Sequence, residues 1–186
     1  LVHAALPAAP RQYSIEPKLD LATYLGGLCT ALRGAFGVDG EYRVMHVEVE
    51  PLTISSAAAQ SLGLAVTELV TNALRHAFHP AKPGTVRVIG QHRGDGWYQL
   101  CVEDDGEGLP RDFDLRLRPS GLGLRMVNML ADQLRARLTV TGGAGACFVL
   151  TVALPGIVKP ADPSPAPPRP TVDTSGRFPR IRRVNG

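Results

Sequence analysis

The chain has 186 residues, is 44% hydrophobic and 5% aromatic, and carries a net charge of +3. That suits one domain of ordinary size with a real core and excludes a fibrous or membrane-spanning body, because its apolar runs are short and interrupted. Lys159, Arg169, Arg177, Arg180, Arg182 and Arg183, set against Asp162 and Asp173, put about +4 beyond Pro155 and leave the rest near −1, so the body has no basic surface for nucleic acid.

LVHAALPAAP, residues 1–10, has neither the basic start nor the apolar centre of a signal peptide, and a cytoplasmic location is expected. Asp20 is placed to cap a helix running to Phe36, with Leu21, Leu25, Leu28 and Leu32 on one face and Gly34 and Gly37 near its end. Alternation over Arg43 to Val49 predicts a strand. The stretch ISSAAAQSLGLAVTELVTNALRHAF, residues 54–78, reads as a long helix begun by Ser55 or Ser56 and stopped near His79 and Pro80. TVRVIGQ and WYQLCVED, joined by HRGDG, predict a hairpin; a third helix is expected over Leu122 to Leu134, and RLTVTGGAGACFVLTVAL gives a last hairpin. The sum is an α+β two-layer sandwich, a mixed, mostly antiparallel sheet with helices on one face. Cys29, Cys101 and Cys147 stand apart in apolar surroundings and read as small core residues, with no disulfide or metal set among them. The proline-dense segment 155–186 reads as disordered or extended; its terminal FPRIRRVNG reads as a solvated end, with contact to an acidic partner or nucleic acid as the alternative.

ELVTNALRHAF, residues 68–78, puts Glu68, Asn72 and Arg75 within roughly 60° of one another on an otherwise apolar helix, and such a stripe requires a ligand or a polar partner. The loop VEDDGEGLPRDFDLRLRPSGLGLRMV, residues 102–127, has Gly106 and Gly108 at one end and Gly121 and Gly123 at the other. Glycines there let backbone amides approach a ligand, and a helix opening after GLGL offers unpaired N–H groups to phosphate. Asp104, ending an apolar strand, is placed to accept a hydrogen bond from an exocyclic amine such as that of adenine. Taken singly, each feature has an ordinary explanation: GxG is a turn, and Glu and Asn four apart face water or each other. Their conjunction within about 60 residues points to a nucleotide with a divalent ion.

These residues resemble a known family. ELVTNALRHAF is similar to the N box, DDGEGLP to the first glycine box and SGLGLRMV to the second glycine box of the ATP-binding domain shared by gyrases, Hsp90, histidine kinases and MutL, a fold known as the Bergerat fold. The wording is most similar to bacterial sensor histidine kinases of the subfamily related to the HWE kinases, and the likeness runs from Leu19 to Leu154. The resemblance implies that Asn72 offers an oxygen to Mg²⁺, that Glu68 polarises or deprotonates the attacking group, and that Arg75 and His76 reach phosphate oxygens. It implies that Asp104 binds the adenine amine of ATP, that Gly106, Gly108 and Leu109 shape the base pocket, and that Ser120, Gly121, Leu122, Gly123 and Leu124 close over the triphosphate.

Leu109 to Ser120 would be a short lid, and its Arg111, Arg116 and Arg118, alternating with Asp112 and Asp114, read as solvated loop charges, with an approach to the γ-phosphate as the alternative. Relatives often have Gly-Thr where this chain has Gly145-Ala146, which removes a hydroxyl from the site. None of His3, His46, His76, His79 and His92 sits in a phosphoacceptor context. The expected organisation is therefore a remnant of a preceding dimerisation helix or linker over residues 1–18, the ATP-binding domain over 19–154, and the basic tail. The expected partners are a histidine-bearing dimerisation domain, through which alone the kinase would be a homodimer, and the receiver domain of a response regulator; no nucleic acid is expected. Two alternatives stay open: an anti-sigma-factor type of serine kinase with the same boxes, and a non-catalytic relic that docks a response regulator.

Overall fold

The computed structural model describes residues 16–38, 42–79, 82–94, 96–110, 113 and 121–154. The readings made for residues 1–15, for the tail beyond residue 154, for Ser120 and for the three lid arginines lie outside them. The chain runs β1 (Lys18–Asp20), α1 (Leu21–Phe36), β2 (Arg43–Val49), β3 (Thr53–Ser55), α2 (Ser56–Asn72), a π-helical turn (Ala73–Ala77), β4 (Gly84–Arg93), β5 (Trp97–Asp104), α3 (Leu122–Gln133), β6 (Arg137–Gly143) and β7 (Gly145–Ala153).

Local chemistry sets the helix starts. Asp20 caps α1 by accepting the Thr23 N–H at 2.9 Å and the Thr23 hydroxyl at 2.8 Å, and its other oxygen takes the Leu52 N–H at 3.2 Å. Ser55 caps α2 through Ala58 N–H at 3.3 Å. Gly37, in the left-handed conformation, ends α1 by returning its N–H to Arg33.

Five strands form the main sheet in the order β2-β4-β5-β7-β6, with β2 parallel to β4 and every other pair antiparallel. The pleat sorts residues by face. Met45, Val86, Val88, Leu100, Val102, Phe148 and Leu150 all point into the core, where α1 supplies Leu21, Leu25 and Cys29, α2 supplies Leu62, Val66, Leu69 and Val70, and α3 supplies Leu124, Val127 and Leu130. Burying each such aliphatic side chain stabilises the fold by about 1.5–3 kcal/mol relative to its exposed state. Helix α2 packs against both α1 and α3. The expected sandwich with helices on one face is the architecture observed.

Two features go beyond the sequence reading. Strands β1 and β3, three residues each, form a separate antiparallel pair that ties the entry to α1 to the entry to α2. The helix predicted as continuous to residue 78 leaves α-geometry after Asn72 and closes with one π-helical turn. No helix among the described residues is long and apolar enough to cross a membrane.

Candidate functional site

The end of the core row on β5 is Asp104. It stands directly opposite Val86 of β4 and two residues beyond Val102, so its side chain points to the same face as the core, and it is 6% exposed. Its Oδ1 accepts the Gly106 N–H at 3.0 Å and the Ala146 N–H at 3.3 Å. Oδ2 accepts no hydrogen bond from any described residue. Burial pushes the carboxyl above its ordinary range; the Gly106 and Ala146 amides pull the other way, and the neighbouring Asp105 charge adds to the rise.

Close backbone approach builds the rest of this wall. A Cβ on Gly106 would collide with the carbonyl oxygen of Ala77 and stand 2.6 Å from the Ala77 Cβ. That carbonyl, at the end of the π-helical turn, also accepts the Glu107 N–H at 2.8 Å. The widened turn thus holds the loop after β5, a use of π-geometry that recurs at functional sites. Gly145, at φ +100°, lies so close to Asp104 that a Cβ there would strike the Asp104 carbonyl. That carbonyl approach and the Ala146 amide bond hold the β7 start against the carboxylate.

Opposite, α2 meets the first turn of α3. A Cβ on Gly123 would overlap the Glu68 Oε2 and lie 3.7 Å from the Asn72 Nδ2, so α3 enters directly over these two side chains. Neither the Glu68 nor the Asn72 side chain hydrogen-bonds to a described residue. Gly121, at the N-cap of α3 with φ +109°, contributes no capping side chain, leaving the first-turn N–H groups without an internal partner.

Between the walls lies a cavity of about 580 Å³, within the range of small-molecule sites. Glu68, Asn72, Arg75 and His76 border it from α2 and the π turn, Asp104, Gly108 and Leu109 from β5 and the loop behind it, and Gly121, Leu122, Gly123 and Leu124 from the start of α3. Gly106 supports Asp104 from behind, and Ser120 lies outside the described residues. Arg75 lies in the π turn on the same cavity as Glu68 and Asn72, and its guanidinium carbon stands 5.8 Å from the Phe36 ring centre on α1.

Among the lining residues that sequence reasoning did not assign to the site are Thr71, Phe113, Ala146 as an amide donor, and Phe148. Phe113 and Phe148 meet edge to face with ring centres 6.5 Å apart. The available signal was register, since Phe148 pairs with Val102, two residues from Asp104. A further correction concerns the cysteines. Only Cys29 is a buried core residue; Cys101 and Cys147 are half-buried, with sulfurs 3.1 Å apart on the helix-free face of the sheet.

Residues 57–156, more than half of the chain, match the family described as histidine kinase-, DNA gyrase B- and HSP90-like ATPases. The chain belongs to that family. Within it, the chain is 30% identical over 156 residues to blue-light-activated histidine kinase 2 of Erythrobacter litoralis (strain HTCC2594), an alignment covering 83% of this chain and 44% of that protein. It is 32% identical over 132 residues to the sensor histidine kinase PdtaS of Mycobacterium tuberculosis, covering 71% and 25%. The solved histidine kinase domain of the Erythrobacter litoralis EL346 blue-light-activated kinase superposes with a TM-score of 0.67 at 31% identity, over 73% of this chain and 62% of that one. This ATPase domain therefore spans less than half the length of the curated relatives it matches.

Proposed function

We propose that this domain is the ATP-binding, catalytic part of a sensor histidine kinase, passing the γ-phosphoryl group of ATP to a histidine on a dimerisation domain. The observation that carries the reading is the convergence of Glu68, Asn72, Asp104 and the Gly121–Leu124 turn on one cavity, with the Glu68 and Asn72 side chains and one Asp104 oxygen without hydrogen-bond partners among the described residues. Asp104 Oδ2 accepts the adenine amine, and Gly106, Gly108 and Leu109 fix the base plane. The α3 amides over Leu122 to Leu124 take phosphate oxygens, with Arg75 and His76 reaching them from the π turn.

The donor set suits Mg²⁺: Asn72 provides a hard oxygen, few protein ligands are needed, and triphosphate oxygens complete the shell. Bound there, Mg²⁺ supplies neutralisation of the charge that develops on the transferring phosphoryl group. Glu68 accepts a hydrogen bond from the incoming imidazole N–H and orients the other ring nitrogen for attack, while the bond from phosphorus to the ADP oxygen breaks. The phosphohistidine then passes its phosphoryl group to an aspartate of a response-regulator receiver. On this reading the kinase is a cytoplasmic homodimer held by the histidine-bearing domain, which precedes residues 19–154, with residues 155–186 as an appended tail.

The test incubates the chain with γ-labelled ATP, Mg²⁺ and a histidine-bearing hairpin from a related kinase. Label on the hairpin that is acid-labile and alkali-stable is expected, and the Asp104→Asn chain gives none. Acid-stable label on a protein serine would replace the reading with a serine kinase, and a chain that binds no ATP would leave only a docking role.

A further inference from the structure

The face of the sheet turned away from the helices carries a cluster that the nucleotide cavity does not use. Cys101 on β5 and Cys147 on β7 have sulfurs 3.1 Å apart, and the carboxylate of Glu103 joins them so that all three ligand atoms lie within 4.8 Å of one another. Both thiols are free and half-buried, and Glu103 is 9% exposed. Register explains the arrangement. Glu103 stands directly opposite Cys147, while Cys101 stands opposite Val149, so the two cysteines are diagonal neighbours.

That diagonal placement separates two chemistries. Diagonal residues of an antiparallel pair have Cα atoms about 7–8 Å apart, whereas a disulfide spans about 4.4–6.8 Å. A tetrahedral zinc ion, with bonds to sulfur of about 2.3 Å, holds two sulfurs nearly 4 Å apart, which a modest χ1 rotation of either cysteine provides. Glu103 adds the oxygen ligand. Arg87, 3.5 Å from that carboxylate, stands as its outer partner and steadies it. Two thiolates and a carboxylate, set against a divalent ion and the Arg87 guanidinium, leave no net charge, which removes the main cost of partial burial.

We propose that Cys101, Cys147 and Glu103 form a site for a thiophilic divalent ion, Zn²⁺ by ligand chemistry, with a fourth position open to water. The site lies one residue from Asp104 along β5 and one residue from Ala146 along β7.

The experiment titrates the reduced chain with Co²⁺ and then Zn²⁺ under anaerobic conditions. One equivalent of Co²⁺ gives thiolate-to-cobalt charge-transfer absorption, which Zn²⁺ abolishes. Cys101→Ser and Cys147→Ser each weaken binding by about a hundredfold or more, since losing an outer-shell partner alone costs about 10–100-fold. Glu103→Gln weakens it while keeping the sulfur absorption, and Cys29→Ala changes nothing. A second measurement needs no variant: in the native chain Zn²⁺ protects Cys101 and Cys147 from alkylation, mapped by mass spectrometry. Absent or non-saturable cobalt absorption, equal alkylation with and without Zn²⁺, or a disulfide that forms in place of metal uptake would each overturn the proposal.

Discussion

The Ala146 amide donates to the Asp104 carboxylate at 3.3 Å, so two segments 42 residues apart are joined at the wall of the cavity. Asparagine at position 104 keeps an Oδ1 acceptor for this amide and for that of Gly106, yet it replaces the free oxygen with an NH₂ that opposes the adenine amine. Asp104→Asn is therefore expected to fold normally and to lose ATP affinity by about a hundredfold, or about 3 kcal/mol for a hydrogen bond to a charged group. Isothermal titration with ADP checks it; affinity within a few-fold of the native chain would refute the assignment.

The same carboxylate makes a pH prediction. Because burial raises its folded-state pKa, the folded chain holds this proton to higher pH than the unfolded chain does. The penalty for ionising it is absent below the unfolded value, near 3.8, and grows as pH rises through the raised folded value. Without nucleotide, the native chain should lose stability relative to Asp104→Asn across that window, then keep a constant deficit above it. Melting curves of both proteins from acid to neutral pH measure the difference; a gap that narrows with rising pH contradicts it.

Gly123→Ala separates stability from function. The new methyl meets the Glu68 carboxylate, the far end of a flexible side chain, so Glu68 turns aside while the helix stays in place. Alanine in the first turn of α3 improves helix propensity by up to about 1 kcal/mol, and the melting temperature should hold or rise. Phosphotransfer should fall at the same time. In a Glu68→Ala background the glycine substitution should have little further effect, and additive losses in that double-mutant cycle would rule out the contact.

Gly106→Ala behaves differently because its obstacle is the main chain of Ala77. Neither side can yield without moving the π turn or the loop. We expect a loss of about 1–3 kcal/mol, as for other overpacked positions, together with weaker nucleotide binding. Urea unfolding is the check, and a neutral outcome would show that the two segments are not in contact.

Glu68→Gln should leave ADP affinity within a few-fold, because the proposed role falls on the incoming imidazole, and should slow transfer by about 10²–10⁴. Single-turnover transfer to the hairpin from prebound ATP separates the two effects. Equal losses in binding and transfer would move Glu68 from catalysis to nucleotide binding.

Much of this was legible in the residues. Asp20 and Ser55 announce helix starts because their short side chains can reach back to the amides of the first turn, and the apolar spacing of Leu21, Leu25 and Cys29 on α1 or Leu62, Val66, Leu69 and Val70 on α2 marks the buried faces. Both hairpins follow from alternation and glycine. The parallel pairing of β2 with β4 was not legible, since it joins strands separated by a whole helix. Strands β1 and β3 are too short for a two-residue period to register. The π turn has no marker in ALRHA and depends on what packs against it. The contact of Cys101 with Cys147 depends on the diagonal of one strand pair, and a one-residue slip would have hidden it.

The Ala77 carbonyl, shared between the Gly106 approach and the Glu107 amide, fastens the loop after β5, to which base recognition is assigned in the proposal, to the π turn as well as to the sheet. The half of the pocket proposed to read the nucleobase is thereby anchored at both layers before any phosphate arrives. Discrimination between adenine and guanine should consequently survive in nucleosides stripped of their phosphate chain, at low affinity but with the preference intact.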